Sequence, residues 1–360
     1  MTTSESNCTA VNAVEKLSIV IPTCDREKSL KLLLDSILQQ TKLPKEVIIV
    51  DDGNDFTIHE LTKKQSQRFV SKGIQLRYLR NLKEKSVSAV RNLGAMQARE
   101  EIVLFLDDDV VLNKNYIEEI LKTYEEYPNA VGVQGLIANM PMSSKMLIIL
   151  NKIFFGNHLE PNQCRILPSG NTTYPYSRLN KVINCQWFTG CNQSYRRSIV
   201  KTQVFDEKLK RLSSREDMDF SYKLFKRRPD SLYLNPNAKL RHDYSLGSSL
   251  PDHLLIYNRT ITCFYFFYKN IEQTLVNHLI FIWCNIGRLV INTVKRLSTA
   301  VKTKNSKWFK MKCLRDISCF LKSYVYSIKH LKEIKAGQLE FFYELLFQNE
   351  PEPRVCVPKS

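Results

Sequence analysis

The amino-terminal third of the sequence alternates short apolar runs with amphipathic stretches, and this alternation restricts the possible fold more than any other feature. The apolar runs are rich in β-branched residues and predict buried strands at 17–22, 46–50, 74–79 and 102–106. Apolar residues at helical spacing predict helices at 29–40, 56–70 and 86–99. We therefore expect an α/β protein with a mostly parallel, Rossmann-like sheet that carries helices on both faces.

Acidic residues stand where three of these strands end. Asp25 follows the first strand, Asp51 and Asp52 follow the second, and the triplet 107–109 follows the fourth. Ligands of open parallel sheets bind beyond the carboxyl ends of the strands. We therefore expect the three segments to meet at one edge of the sheet and to form the functional site there.

The triplet Asp107-Asp108-Asp109 has the composition of a metal site. In an extended segment Asp107 and Asp109 point to the same side, and such carboxylates repel each other unless a cation neutralises them. Hard carboxylate oxygens suit Mg²⁺ or Mn²⁺, which keep waters and bridge phosphate oxygens. The triplet therefore predicts a site for a metal-bound diphosphate. A turn that caps a helix starting near residue 113 is the alternative that these residues leave open.

The chain becomes helical and basic after residue 254. Between Lys295 and Lys335 twelve Lys or Arg stand against two acidic residues, within a net charge of +17. The helix predicted at 315–331 has an apolar stripe flanked by lysines, which is typical of an interfacial helix on an anionic membrane. The stripe comprises Phe320, Leu321, Tyr324, Val325, Ile328 and Leu331. A helical cap with solvated lysines is the alternative.

The apolar segment 274–294 is interrupted by Arg288, His278 and several asparagines, so we expect that it does not span a membrane. Residues 1–16 contain no apolar signal core, and the ten cysteines form no C-x-x-C pair. We therefore expect a cytoplasmic protein with reduced thiols, bound peripherally at the inner face of the membrane, with no specific nucleic-acid partner. The predicted division is a tail at 1–16, a catalytic domain at 17–250, a basic helical region at 251–348 and a tail at 349–360.

Five groups of motifs occur in the order and spacing of a known family. They are IVIPTCDR, VIIVDDG, VSAVRNLGAMQA with IVLFLDDD, WFTGCNQSYRR with VFDEKL, and REDMDFSYKL. Together they resemble the family 2 inverting glycosyltransferases, which have the glycosyltransferase A fold, over residues 17–242. The helix predicted at 254–270 is similar to an Arg-Asn-containing helix of the rhamnosyltransferase-like members. The resemblance implies a nucleotide-sugar donor and a glycan or lipid-linked acceptor, such as a precursor of cell-surface polysaccharide.

The resemblance also implies which residues bind the nucleotide sugar. Thr23 and Asp25 would line the pocket of the base, and Asp52 would accept a hydrogen bond from the base. Arg91 and Asn92 would lie close to the donor pocket. Cys24-Asp25 stands where the family often has Tyr-Asn, so the identity of the base stays open.

The triplet takes its role from the same resemblance. Asp107 and Asp109 would serve the metal and the ribose and diphosphate of the donor, with Asp108 beside them. His242 would be a further contact to the metal or the diphosphate. Mg²⁺ or Mn²⁺ is the implied cofactor.

The second acidic cluster would supply the catalytic base. Inversion needs one carboxylate that faces the anomeric carbon from the side of the acceptor and takes the hydroxyl proton. The resemblance assigns this role to Asp217, with Glu216 and Asp219 as rivals. Gly190 and Asn192 would shape the junction between donor sugar and acceptor.

Two other functions stay open on the sequence. A nucleotidyltransferase of related fold would open with a Gly-rich loop after the first strand, but the sequence there is PTCDREK. A non-catalytic basic protein docked to membrane would leave the three acidic loops unexplained. No Gln-x-x-Arg-Trp motif of processive synthases follows Asp217, so we expect transfer of a single sugar.

Overall fold

The computed structural model describes residues 14–141, 144–176, 178–210, 214–243, 252–302 and 306–347. Its strands are β1 (Val14–Thr23), β2 (Leu43–Asp51), β3 (Gln75–Arg80), β4 (Ile102–Leu106), β5 (Val110–Leu112), β6 (Gly132–Ile137), β7 (His158–Leu159), β8 (Thr173–Tyr174), β9 (Ile183–Asn184), β10 (Asn192–Arg196) and β11 (Leu232–His242). Its helices are α1 (Glu27–Ile37), α2 (Thr57–Val70), α3 (Val87–Gln97), α4 (Tyr116–Glu126), α5 (Lys145–Ile153), α6 (Arg197–Thr202), α7 (Glu216–Arg227), α8 (Asp252–Asn270), α9 (Leu275–Lys302), α10 (Ser306–Lys329), α11 (Leu331–Ala336) and α12 (Glu340–Phe347).

One large mixed sheet organises the molecule. Its strand order is β3-β2-β1-β4-β10-β6-β11-β5, and β9 pairs with β11 beside this path. The first four strands in this order are parallel, as are β6 and β11, whereas β10 runs antiparallel to both of its neighbours. The expected α/β fold with a mostly parallel sheet is confirmed.

Successive residues of β1 supply two separate hydrophobic cores, because side chains of a strand alternate between the faces of the sheet. Ile19 and Ile21 pack with α1, α2 and α4 on one face. Val20 packs on the other face with α3 and with apolar residues of α6, α7 and α8. Helices therefore cover both faces, and the carboxyl ends of the strands remain open for a site.

The observed elements differ from the predicted ones after the triplet. The chain forms β5 directly after Asp109, so α4 begins only at Tyr116. Between residues 181 and 188 the only strand is the short β9, and residues 232–242 form the single long strand β11. His242 consequently lies at the end of a strand and pairs with Val110 of β5.

The carboxyl-terminal helices pack against the catalytic sheet. Phe264 and Phe267 of α8, Phe281 of α9 and Phe342 of α12 belong to the same core as Val20. The boundary predicted at residue 250 lies in the part of the chain that is not described, as do residues 1–13 of the first predicted tail and the whole of the second, 349–360. Residues 14–16 of the first predicted tail lie in β1.

The residues of the apolar stripe predicted at 315–331 do not share one environment, because some are exposed and others pack against the protein. Leu321, Val325 and Ile328 are 49%, 67% and 62% exposed. Tyr324 instead lies against Phe264 and donates a hydrogen bond to Asn285 of α9. The buried face of α10 is polar here, with Ser323 bonded to Thr260 of α8. The side chains at 295–314, which carry over half of the predicted basic cluster, lie outside those described.

Candidate active site

Asp107, Asp109 and His242 form an acidic cluster at the carboxyl edge of the sheet. One ligand atom from each residue lies within 4.8 Å of the others. The Nε2 atom of His242 is 3.0 Å from Oδ1 of Asp109. The antiparallel pairing of β11 with β5 brings His242 beside the triplet across more than 130 residues of sequence. Two carboxylates and an imidazole are a suitable ligand set for Mn²⁺ or Mg²⁺.

The environment of His242 is strongly anionic. Burial by itself would lower the pKa of His242, but the hydrogen bond to Asp109 and the neighbouring Cys191 raise this pKa to about 10. The imidazole therefore holds a proton in this arrangement. A divalent cation that binds the cluster replaces that proton, because metal ligation requires a neutral imidazole. The positive charge that the histidine supplies thus marks the place where a metal cation fits.

Asp108 plays a different part from its two neighbours. It is 4% exposed, accepts a hydrogen bond of 2.7 Å from the Thr23 hydroxyl, and lies 3.2 Å from the Arg26 guanidinium. Burial raises the pKa of Asp108 to about 6, against the opposing effect of Arg26. Arg26 also lies 3.1 Å from Asp109. Asp108 therefore fixes the loop after β1 to the triplet, and Arg26 is a site residue that the sequence analysis missed.

The second acidic cluster begins α7, and Asp217 is its member held toward the cleft. Its Oδ2 accepts a hydrogen bond of 2.6 Å from the Gly190 backbone N–H, and its Oδ1 accepts one of 2.7 Å from Met218. Burial raises the pKa of Asp217, although the Arg91 guanidinium acts in the opposite direction. A carboxylate that is fixed in orientation and has a raised pKa has the properties of a general base.

The two rival carboxylates are engaged elsewhere. Glu216 is 7% exposed and lies 2.9 Å from the Arg91 guanidinium. Burial raises the pKa of Glu216 to about 7, and the neighbouring Asp217 adds to this shift. Asp219 accepts hydrogen bonds from Lys269 and Asn270 of α8, at 2.9 Å and 2.7 Å. Asp219 thus attaches α7 to α8.

Arg91 connects the two acidic clusters. It is 2% exposed, and its guanidinium lies 2.9 Å from both Asp107 and Glu216. It also donates to the Gly190 carbonyl at 3.1 Å. A Cβ on Gly190 would lie 2.8 Å from Arg91 and 3.3 Å from Asp217. Glycine at position 190 therefore allows Arg91, Asp217 and the backbone to approach closely.

The segments after β1 and β2 lie against each other beside the triplet. A Cβ on Gly53 would be 2.3 Å from Asp25, so only glycine leaves room for that carboxylate. Asp25 has a φ of 56°, a conformation that aspartate tolerates better than most residues. The Asp52 oxygens accept hydrogen bonds from the Asn81 side chain and the Ser86 backbone. Burial raises the pKa of Asp52. The structure thus brings Thr23, Asp25 and Asp52 together, and their contacts to a nucleotide stay a prediction.

Two further predicted residues make their described hydrogen bonds within the protein. Asn92 binds the backbone of Phe205 in both directions and donates to Glu207. Asn192 is fully buried and bonds with Thr189 and the Gly135 carbonyl. In the structure both side chains support the walls of the site, so direct contacts of either residue with donor or acceptor stay a prediction.

Comparison with protein families agrees with this geometry. A family model described as Glycosyl transferase family 2 matches residues 18–203, which is just over half of the chain. An uncharacterized glycosyltransferase of Haemophilus influenzae is 34% identical over 113 residues, covering 31% of this chain and 36% of that protein. The glucosyl-dolichyl phosphate glucuronosyltransferase of Haloferax volcanii is 29% identical over 156 residues, covering 40% of this chain and 48% of that protein. The chain thus spans less than half the length of these relatives.

Solved structures show the same fold. The mannosyltransferase PcManGT from Pyrobaculum calidifontis, in complex with GDP-Man and Mn²⁺, superposes with a TM-score of 0.51 at 13% identity. The match covers 88% of this chain and 88% of that protein. At this identity the likeness establishes the fold, which is the glycosyltransferase A fold.

Proposed function

We propose a mechanism for this chain, which belongs to glycosyltransferase family 2 and is an enzyme that transfers sugars. It moves a single sugar from a nucleoside-diphosphate sugar to an acceptor hydroxyl, with inversion at the anomeric carbon. The observation that carries this proposal is the arrangement around Arg91, which links Asp107 of the cluster with His242 to Glu216, the neighbour of the fixed carboxylate of Asp217.

Each cluster suits one half of the displacement. Asp217 takes the proton of the acceptor hydroxyl as its oxygen attacks the anomeric carbon, and its two backbone hydrogen bonds keep the carboxylate in place. The bond from the anomeric carbon to the diphosphate oxygen breaks on the opposite side, and the diphosphate leaves. Arg91 and Arg26 lie beside the carboxylates of the triplet and keep that half of the site close to charge balance.

Asp107, Asp109 and His242 fit Mg²⁺ or Mn²⁺ by their donor atoms, which lie within 4.8 Å of one another. A divalent cation there supplies positive charge for the departing diphosphate. Thr23, Asp25 and Asp52 are proposed to receive the nucleotide base. Asp107 and Asp109 are proposed to serve the ribose and diphosphate, with Asp108 beside them. Gly190 and Asn192 are proposed to shape the junction with the acceptor.

The acceptor is proposed to be a glycan or a lipid-linked precursor. The Haloferax volcanii relative is named for a glucosyl-dolichyl phosphate substrate, which supports the lipid-linked alternative. We place the enzyme in the cytoplasm at an anionic membrane surface, without a spanning segment. The exposed Leu321, Val325 and Ile328 of α10, with exposed Lys322 and Lys329 beside them, support this placement.

A donor screen tests the proposal. The protein is incubated with UDP-, GDP- and dTDP-sugars, with Mn²⁺ or with chelator, and the released nucleotide is identified. We expect slow hydrolysis of one donor to a nucleoside diphosphate only when the cation is present. Release of pyrophosphate would instead indicate the nucleotidyltransferase. NMR of the sugar product should show the inverted anomer, and retention would overturn the mechanism.

A further inference from the structure

Two arginines meet on the α8–α9 side of Asp217, away from the acidic triplet. Arg215 lies at the start of α7, and Arg288 lies in the middle of α9. Both guanidinium groups approach the side-chain oxygen of Asn171, at 3.1 Å for Arg215 and 3.3 Å for Arg288. Two cationic groups are thus held around one neutral oxygen atom, although like charges repel each other.

Among the residues that the structure describes, no carboxylate lies within ion-pair distance of either arginine, and Asp217 acts on Arg215 only from farther away. Arg215 donates to the Gly170 carbonyl at 2.6 Å and lies over the Phe266 ring. Arg288 contacts the Cys263 thiol and the Tyr324 hydroxyl. By contrast, Arg26 and Arg91 beside the acidic triplet each lie within 3.2 Å of a carboxylate. The two guanidinium groups lower the pKa of the buried Cys263 thiol, so they favour negative charge at this place and form a favourable environment for an anion.

The position of this pair assigns the anion to the acceptor. Arg215 is two residues from Asp217, and the negative charge of Asp217 acts to raise the pKa of Arg215. The donor diphosphate is placed on the other side of Asp217, where Arg91 binds Asp107. An anion at the arginine pair therefore lies beside the base and apart from the leaving group.

An exposed apolar surface adjoins the arginine pair. Side chains of α5 and α9 that are 48–58% exposed form it: Met146, Ile149, Ile153, Leu279, Ile282 and Ile286. The two helices are joined where Trp283 donates to the Ile153 carbonyl at 2.9 Å. Asn171, which binds both arginines, also donates to Cys284 of α9 and to the carbonyl of Phe155 just after α5. The anion site and the apolar surface therefore share one framework.

The segment Leu275–Val294 of α9 is the one described stretch that is long and apolar enough to cross a membrane by length and composition. Its mean hydropathy is 1.3, and 22% of it is buried in the protein. Arg288 lies within this segment and faces Asn171, so the helix already has a polar face directed at the protein. This pattern favours a helix whose apolar side contacts a lipid chain while its polar side belongs to the site.

We propose that Arg215 and Arg288 bind a phosphate group of the acceptor, and that the α5–α9 surface receives the hydrocarbon chain attached to that phosphate. The assignment of this phosphate to the acceptor rests on the proposed function. The acceptor class is a phosphate- or diphosphate-bearing lipid, whose attacking hydroxyl reaches Asp217 while its phosphate stays at the arginine pair.

Calorimetric titration of the full chain in chelator, with farnesyl phosphate, farnesol and inorganic phosphate, tests the proposal. We expect saturable binding of farnesyl phosphate, weakened at least tenfold in Arg288→Gln and in Arg215→Gln. Arg228→Gln, a substitution of an exposed arginine at the far end of α7, is the matched control and should bind like the original protein. Equal affinity in all four proteins overturns the site. Arg288→Lys, which keeps the charge, provides the comparison if a glutamine variant does not fold.

Farnesol lacks the phosphate and inorganic phosphate lacks the hydrocarbon chain, so these two probes identify the source of the phosphate. Ile282→Ser should weaken farnesyl phosphate but leave inorganic phosphate unchanged, and farnesol should show no dependence on Arg288. If inorganic phosphate binds as tightly as farnesyl phosphate, the ligand is a soluble phosphate and the lipid assignment is wrong. Donor hydrolysis without arginine-dependent phosphate binding overturns this inference alone. Arginine-dependent binding in a protein that hydrolyses no donor overturns the proposed function alone.

Discussion

The two acidic clusters of the site each contain three carboxylates, but the protein neutralises them in different ways. Side-chain cations surround the cluster at 107–109, where Arg26, Arg91 and His242 lie within about one hydrogen-bond length. In the other cluster Glu216 and Asp219 also have side-chain cations beside them, Arg91 and Lys269, but Asp217 is held by two backbone N–H groups. Side-chain cations can be exchanged for a metal ion, whereas backbone dipoles orient a carboxylate without removing its affinity for a proton. In the proposed mechanism, the cluster at 107–109 binds a charged ligand and Asp217 takes the proton.

Substitution Asp217→Asn tests the proton-transfer half and should have the largest effect. Loss of a general base lowers the rate by about two to four orders of magnitude. Donor affinity should stay near that of the original protein, because the donor cluster is untouched. Transfer rates and donor titrations measure both quantities. Asp219→Asn is the matched comparison, and an active Asp217→Asn beside an inactive Asp219→Asn would reverse the assignment.

Substitution Asp109→Asn tests the metal half. Removing one carboxylate from the set of Asp107, Asp109 and His242 should lower the affinity for Mn²⁺ and for the donor by at least about tenfold. Calorimetry with and without chelator measures this loss. A donor affinity that is the same for both proteins and insensitive to chelator would contradict the metal site.

Substitution Thr23→Val tests whether Asp108 is a structural member of its cluster. The substitution removes the hydrogen bond to a buried carboxylate, so the free energy of unfolding should fall by about 1.5–3 kcal/mol. Thr23→Ser keeps the hydroxyl and should retain most of this stability. Urea denaturation without metal gives the comparison, and equal stability of the serine and valine variants would show that the hydrogen bond does not stabilise the fold.

The smallest expected effect is a change in pH dependence. Transfer requires ionised Asp217, whose pKa is raised, so the rate falls as the pH drops through that pKa. Substitution Glu216→Gln removes a negative charge next to Asp217. The Arg91 guanidinium, which no longer pairs with a carboxylate at position 216, then acts more strongly on Asp217. The pKa of Asp217 should therefore fall, and the acid limb of the pH–rate profile should move to lower pH. An unmoved limb would mean that another group controls it.

The sequence predicted the strands of the parallel part well, and the reason is physical. The central residues of β1 and β2 and the whole of β4 are buried on both faces, so the runs 19–21, 47–50 and 102–106 are continuously apolar. β10 was not predicted because its sequence NQSYR is polar, although the strand is buried. Its polar groups are bonded inside the protein, for example Ser194 to Tyr124 and to the Val133 carbonyl. A hydrophobic pattern cannot identify such a strand.

The residues of the candidate site were likewise predicted where the local sequence identifies them and missed where their partners are distant in sequence. Asp107 and Asp109 were found because they end an apolar strand, and the cluster with His242 followed from motif order. Arg26 was missed because its partners lie more than 80 residues away, although it stands next to Asp25 in a motif already recognised. The hydrogen bonds of Asn92 to the protein could not be predicted either, because the segment around Phe205 approaches Asn92 only in the folded chain.

Arg91 spans from Asp107 to Glu216 as a single buried side chain, so the distance between the two halves of the reaction does not depend on the loops at the rim. Substitutions elsewhere in the site that change which sugar or acceptor fits would leave this span unchanged. Replacement of this one arginine would instead affect every donor and acceptor that the site accepts.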